Sequence, residues 1–276
     1  MTGRLIKYEI RSSVKLMAVI WAALIVASLL FSLSGNVLGD TLLGGENSSG
    51  LLLSILKFAT GLMYFTVFIA LIVATIVIVI MRFYKGILGE EGYLMHTLPV
   101  KPWHLIMSKG IVAAGVVLIS ILVALLSIVI LAGISGLSII TDTFTGLIEG
   151  LKNDPTFILV VIEILIVLVM SLLKSIYQIY ASLAIGQLAG KHRILLSLGA
   201  YIGLNIVLTV LFLIIVSVAN CFDVGIWLTT LLYDMGDEPF ALTQIGLLVL
   251  FVGTGIQLVG FHIITERILS LKLNLQ

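Results

Sequence analysis

Six uninterrupted apolar runs dominate this sequence, at 14–34, 58–81, 110–133, 157 to about 181, 194–219 and 241–264. About twenty apolar residues in an α-helix match the ~30 Å hydrocarbon core of a bilayer, where a helix satisfies its own backbone polar groups. All four prolines (Pro99, Pro102, Pro155, Pro239) fall between the runs, where they remove no interior helix hydrogen bond. The chain is 61% hydrophobic and 11% charged, outside the usual range of soluble domains. The sequence predicts an all-α membrane protein with one six-helix transmembrane domain over 1–276.

The basic residues predict the orientation. With the amino terminus inside, the inner segments hold Arg4, Lys7, Arg11, Lys15, Arg82, Lys85, Lys101, Lys109, Lys191, Arg193, Arg267 and Lys272, while the outer segments hold Lys57 and Lys152. Positive charge favours the cytoplasmic side, so both termini are expected there. The first run is of full spanning length and five more follow, which favours an uncleaved helix over a secretory signal. Nine acids (Asp40, Glu46, Asp142, Glu149, Asp154, Asp223, Asp234, Asp237, Glu238) fall in the outer segments. They either favour a cationic cargo or simply complement the inner bases. The outer loop at 220–240 also carries Trp227, Leu231, Leu232 and Tyr233, an amphipathic set able to dip back to the interface. The single cysteine, Cys221, excludes an intrachain disulfide.

Before the first span, Arg4, Lys7, Arg11 and Lys15 recur at helical spacing beside Ile6, Ile10, Val14 and Met17. This pattern predicts an amphipathic interfacial helix over 1–13 on the anionic inner leaflet. The plainer reading is positive-inside flanking. Gly246, Gly253 and Gly260 in the sixth span, and Gly199 and Gly203 in the fifth, form small-residue faces that predict close helix packing, within the chain or with a second one. The fourth span carries a polar stripe of Ser171, Lys174, Ser175, Gln178 and Ser182. Lys174 either lines a water-accessible path together with Gln178 or snorkels to the inner interface beside Tyr177 and Tyr180. Glu163, eleven residues earlier, is about 16 Å away along the axis and is expected towards the outer interface.

Catalytic motifs fail on inspection. GISG at 133–136 resembles a rhomboid serine motif, but Ser135 is expected at the outer end of the third span and the candidate base His262 near the inner end of the sixth. A nucleophile and its base need hydrogen-bond reach. Glu90-Glu91 lacks the arginine of an EExxxR motif, with Met95 in its place. His96, His104, His192 and His262 lack metal-ligand spacing. GQLAGKH at 186–192 is a residue short between its glycines, ends in His192 rather than Ser or Thr, and follows no strand. No enzyme, no ATP site, no cofactor and no nucleic-acid partner are expected in this chain.

The cytoplasmic loop 82–109 remains. Within it, Gly89 and Gly92 bracket Glu90 and Glu91, and Tyr93, Leu94, Met95 and Leu98 present an apolar surface. Pro99 interrupts any helix, and Pro102 suits the first turn of the next one. Apolar and aromatic residues on a short cytosolic element suit a protein contact that acids orient. The alternative is an interfacial helix anchored to lipid.

The chain resembles the permease subunits of type 2 ABC exporters through EEGYLMHTLPV with the WHLIMSK exit, the basic amphipathic helix before the first span, and AIGQLAGKHR closing the fourth. Lys101 stands where such permeases have a small polar residue. The resemblance implies a bacterial plasma-membrane permease that pairs with a second, identical or related permease chain. Each chain would rest on a cytosolic ATPase subunit, two copies in all, that binds ATP and magnesium. It implies that Glu90, Glu91, Tyr93, Leu94, Met95, His96, Thr97 and Leu98 form the coupling helix between the second and third helices. It also implies that Thr66, Thr75, Asn205 and Thr209 are candidates for the translocation path. The small outer loops and apolar body suit a hydrophobic or amphipathic cargo, such as a toxic or antimicrobial peptide, a drug or a lipid. Two other functions fit the residues: an ion-coupled secondary transporter using Glu163 and Lys174, and a non-transporting scaffold that recruits a partner through the same loop.

Overall fold

The computed structural model describes residues 2–34, 50–88, 102–153, 155–188, 192–234 and 238–271. Every element among them is helical: α1 (Thr2–Ser32), α2 (Gly50–Phe83), a π-helical turn (Tyr84–Leu88), α3 (Pro102–Asn153), α4 (Pro155–Gly186), α5 (Arg193–Cys221), α6 (Val224–Asp234) and α7 (Glu238–Leu271). Six stretches are long and apolar enough to cross a membrane: Ser13–Ser32, Ser54–Gly86, Trp103–Gly133, Thr156–Gly186, Arg193–Cys221 and Thr243–Ser270. The six expected spans are therefore present in an all-helical, multi-pass architecture.

Three features differ from expectation. α1 runs unbroken through Ser13, so 2–13 and the first span form one helix. The third span ends at Gly133, as expected, but α3 is two helical stretches that meet at a kink there, and the second runs on to Asn153. No proline falls between Trp103 and Asp154, and Thr143 and Thr145 return their hydroxyls to the carbonyls of Ile139 and Thr141 on their own helix. Nothing in that stretch forces the chain to stop. Gly133 alone departs from helical geometry, at φ 59° and ψ −136°, a backbone state that side chains with a Cβ rarely adopt. Finally, the segment expected as the outer loop 220–240 contains α6, with Ile226 and Trp227 exposed on it.

The chain forms two compact units. The first comprises 1–82 and 111–154. Its core is Met17 and Leu24 of α1, Leu71 of α2 and Val116 of α3, flanked by Trp21, Tyr64 and Phe68. Lipid gives two apolar helices little hydrophobic reason to associate, so packing and interhelical hydrogen bonds fix the arrangement. Trp21 donates its indole N–H to Ser120 Oγ at 3.1 Å, Thr75 donates to the same oxygen at 3.3 Å, and the Tyr64 and Ser127 hydroxyls meet at 3.1 Å.

The second unit comprises 83–110 and 155–276. Here α4 packs against α5 and α7. α4 and α7 run parallel: Glu163 and Gln244 share a groove, a Cβ on Gly255 would sit 3.4 Å from Met170 Cε, and the Tyr177 and His262 rings lie 5.2 Å apart. Glu163, Met170 and Tyr177 recur every seven residues, as do Leu248, Gly255 and His262. That spacing keeps one face of each helix on its partner along a left-handed crossing. By contrast, within this unit no described atom beyond the adjoining helical turns lies within 4 Å of a Cβ built on Gly199, Gly203, Gly246, Gly253 or Gly260. The expected close packing at those glycines does not occur within the second unit.

Candidate functional site

The most elaborate side-chain arrangement in the second unit holds the two ends of the segment 89–101. Phe83, the last residue of α2, and Tyr180 of α4 are both fully buried. Their rings stack with centroids 4.0 Å apart and planes at 14°. An aromatic pair of this kind contributes about 1 kcal/mol beyond its burial. The Tyr180 hydroxyl donates to the Lys109 carbonyl at 3.3 Å. One turn earlier, Tyr177 lies against Gly110, where a Cβ would come within 2.8 Å of the phenol oxygen and 3.0 Å of Cζ. Only glycine lets the α3 backbone approach the ring so closely.

His262 of α7 closes the cluster. Its ring meets Tyr177 edge-on at 5.2 Å and Trp103 at 6.2 Å, and Trp103 also contacts His104 at 4.9 Å. Lys109 is buried, and its ammonium lies where a Cβ on Gly86 would stand. Both stems, 83–88 before the segment and 102–110 after it, are thereby tied to one end of α4 and, through His262, to α7. The sequence pointed to the loop but not to this joint. The available signal was the buried tyrosine pair itself, since a tyrosine deep in an apolar unit requires a partner for its hydroxyl.

Glu90, Glu91, Tyr93, Leu94, Met95, His96, Thr97 and Leu98 lie outside the described residues. The path candidates fall in both units. Thr75 is buried in the first unit, bonded to Leu71 O and Ser120, while Thr66 is exposed and bonds to Leu62 O. Asn205 and Thr209 are exposed on α5 and bond to Tyr201 O and Asn205 O on their own helix. Lys174 is half-buried. Gln178, one turn on, is buried, and its Nε2 has no hydrogen-bond partner among the described residues. His262 Nε2 is likewise without a hydrogen-bond partner among the described residues. Among the described residues no group of histidines, cysteines or carboxylates has the clustering of a metal site.

Comparison with known proteins adds no relative. No protein-family model matches the chain, and neither the curated proteins nor the solved structures contain a match.

Proposed function

We propose that this chain is the permease subunit of an ATP-driven exporter of the type 2 ABC class, moving a hydrophobic or amphipathic substrate across a bacterial plasma membrane with both its termini in the cytoplasm. The observation that carries the reading is the anchoring of both stems of 89–101 onto α4 by Phe83, Tyr180, Lys109 and Gly110. A loop that only joined two spans would need no such joint. A loop that receives a push from a partner needs its stems fixed to the helices it must move. The apolar and acidic residues of 90–98 are the docking element in this reading, and a separate ATPase supplies the energy. The six apolar spans support a multi-pass membrane setting, and α5, which buries only Ser197, leaves ample surface for a second permease chain.

The test is affinity purification of the tagged chain from its native membrane. An ATPase subunit is expected to co-purify, and to be lost when 89–99 is replaced by a Gly/Ser linker that preserves membrane insertion. Equal recovery of the ATPase with the linker variant would remove the docking assignment. Absence of any ATPase from the wild-type complex would remove the exporter reading as a whole.

A further inference from the structure

Away from the loop joint, α4 and α7 open into a groove of about 280 Å³ lined by Glu163, Ile166, Val167, Gln244, Leu248 and Phe251, with Leu247 completing it. This is near the lower limit of about 300 Å³ for small-molecule sites. The wall is apolar apart from one carboxyl and one amide. Glu163 Oε2 and Gln244 Nε2 are both buried and lack a hydrogen-bond partner among the described residues. Among the described residues no basic side chain lines the groove. Two buried polar atoms without partners behind the wall of one groove are unusual, because such groups are normally satisfied by protein, water or ligand.

The polar and apolar parts are separated along the helices. Glu163 and Gln244 stand nearest the amino-terminal ends of α4 and α7, and Val167, Leu248 and Phe251 lie one to two turns further in. The candidate span Thr156–Gly186 has 31 residues, about 46 Å as a helix. A centred ~30 Å hydrocarbon slab leaves about 8 Å of overhang at each end. Glu163 is seven residues, about 10 Å, from the Thr156 end, so its carboxyl falls close to the boundary between headgroups and hydrocarbon.

From this geometry we infer that the groove binds a primary ammonium group carried on an apolar chain. The ammonium sits between Glu163 and Gln244, and the chain runs inward along Val167, Leu248 and Phe251. An ammonium offers three N–H donors. One or two reach the Glu163 carboxyl in a charge-assisted bond. Another reaches the Gln244 carbonyl, the end of the amide opposite the buried Nε2. An anion would meet the carboxyl unfavourably, and a neutral alcohol brings one donor and no charge. The assignment stands on the groove alone and requires neither ATP nor a partner subunit, so its test is separate from that of the exporter reading.

The probe is dodecylamine carrying a diazirine on its chain, photolysed with the purified protein in phosphatidylcholine nanodiscs, with labelled peptides mapped by mass spectrometry. Saturable labelling is expected within 163–167 and 244–251. Unlabelled dodecylamine should displace it, dodecyltrimethylammonium should displace it less well because it has no N–H, and dodecanol should leave it in place. Glu163→Gln is expected to reduce labelling about tenfold while elution profile and thermal unfolding stay those of the wild type. Leu248→Trp, which keeps the carboxyl and fills the groove, is an independent second variant with the same expected loss. Displacement by dodecanol equal to that by the amine, or unchanged labelling in both variants, overturns the assignment. Nanodiscs containing phosphatidylethanolamine separate two sources of the same chemistry: lost dodecylamine labelling assigns the site to the lipid ammonium, and retained labelling assigns it to a free amphiphile.

Discussion

Tyr180 does two separable jobs, and substitution distinguishes them. Tyr180→Phe keeps the stack on Phe83 and removes the bond to the Lys109 carbonyl, with an expected loss of about 1 kcal/mol. Tyr180→Ala removes both and leaves a cavity, with an expected loss of about 3–5 kcal/mol. Thermal unfolding of the purified protein in detergent ranks the two. Gly110→Ala brings a methyl group against the Tyr177 ring, an overpacking expected to cost about 1–3 kcal/mol. Neither partnership was legible in the sequence, where Tyr177 and Tyr180 read equally well as interfacial anchors beside Lys174. Gln244 gave no signal at all. A lone amide near a helix end is commonplace, and its meaning comes from Glu163, eighty-one residues earlier in the chain.

At the level of elements, hydropathy and proline placement fixed the number of spans and most of their limits, since both report directly on what lipid tolerates. They did not reveal which faces meet. In water, the polar side of an amphipathic helix marks the outside, but in lipid every face is apolar and that marker vanishes. The glycine faces of α5 and α7 therefore read as packing surfaces and lie open among the described residues, while the seam through Met170 and Gly255 went unread. The second stretch of α3, beyond the kink at Gly133, was similarly hidden, because it is as helix-compatible as the span before it. Gly133 is its one point of special geometry. Gly133→Ala is expected to destabilise the first unit by about 1–3 kcal/mol, since alanine strains at that φ and ψ. Trp21→Phe, which strips a hydrogen bond from Ser120, is expected to cost about 0.6–2 kcal/mol. Urea titration monitored by circular dichroism gives both values.

For the whole molecule, the native cysteine is a convenient reporter. Cys221 is free and exposed at the end of α5, and the orientation expected from the basic residues would put it outside the cell. A membrane-impermeant maleimide is expected to label it in intact cells, and labelling that appears only after lysis would invert the topology. Under the exporter reading, cargo-stimulated ATP hydrolysis in the reconstituted complex is expected to disappear in Tyr93→Ala combined with Leu98→Ala. With Tyr180→Ala, ATPase binding is expected to survive while transport falls.

Glu163 and Tyr177 lie fourteen residues apart on α4, about 21 Å, and α7 accompanies α4 along that whole length. Under the exporter reading, an occupant at the Glu163 end and a force at the Tyr177 end both bear on this one helix pair. Thermodynamic reciprocity then follows: however many-fold docking at the loop changes amine affinity in the groove, the amine must change docking affinity by the same factor and in the same direction.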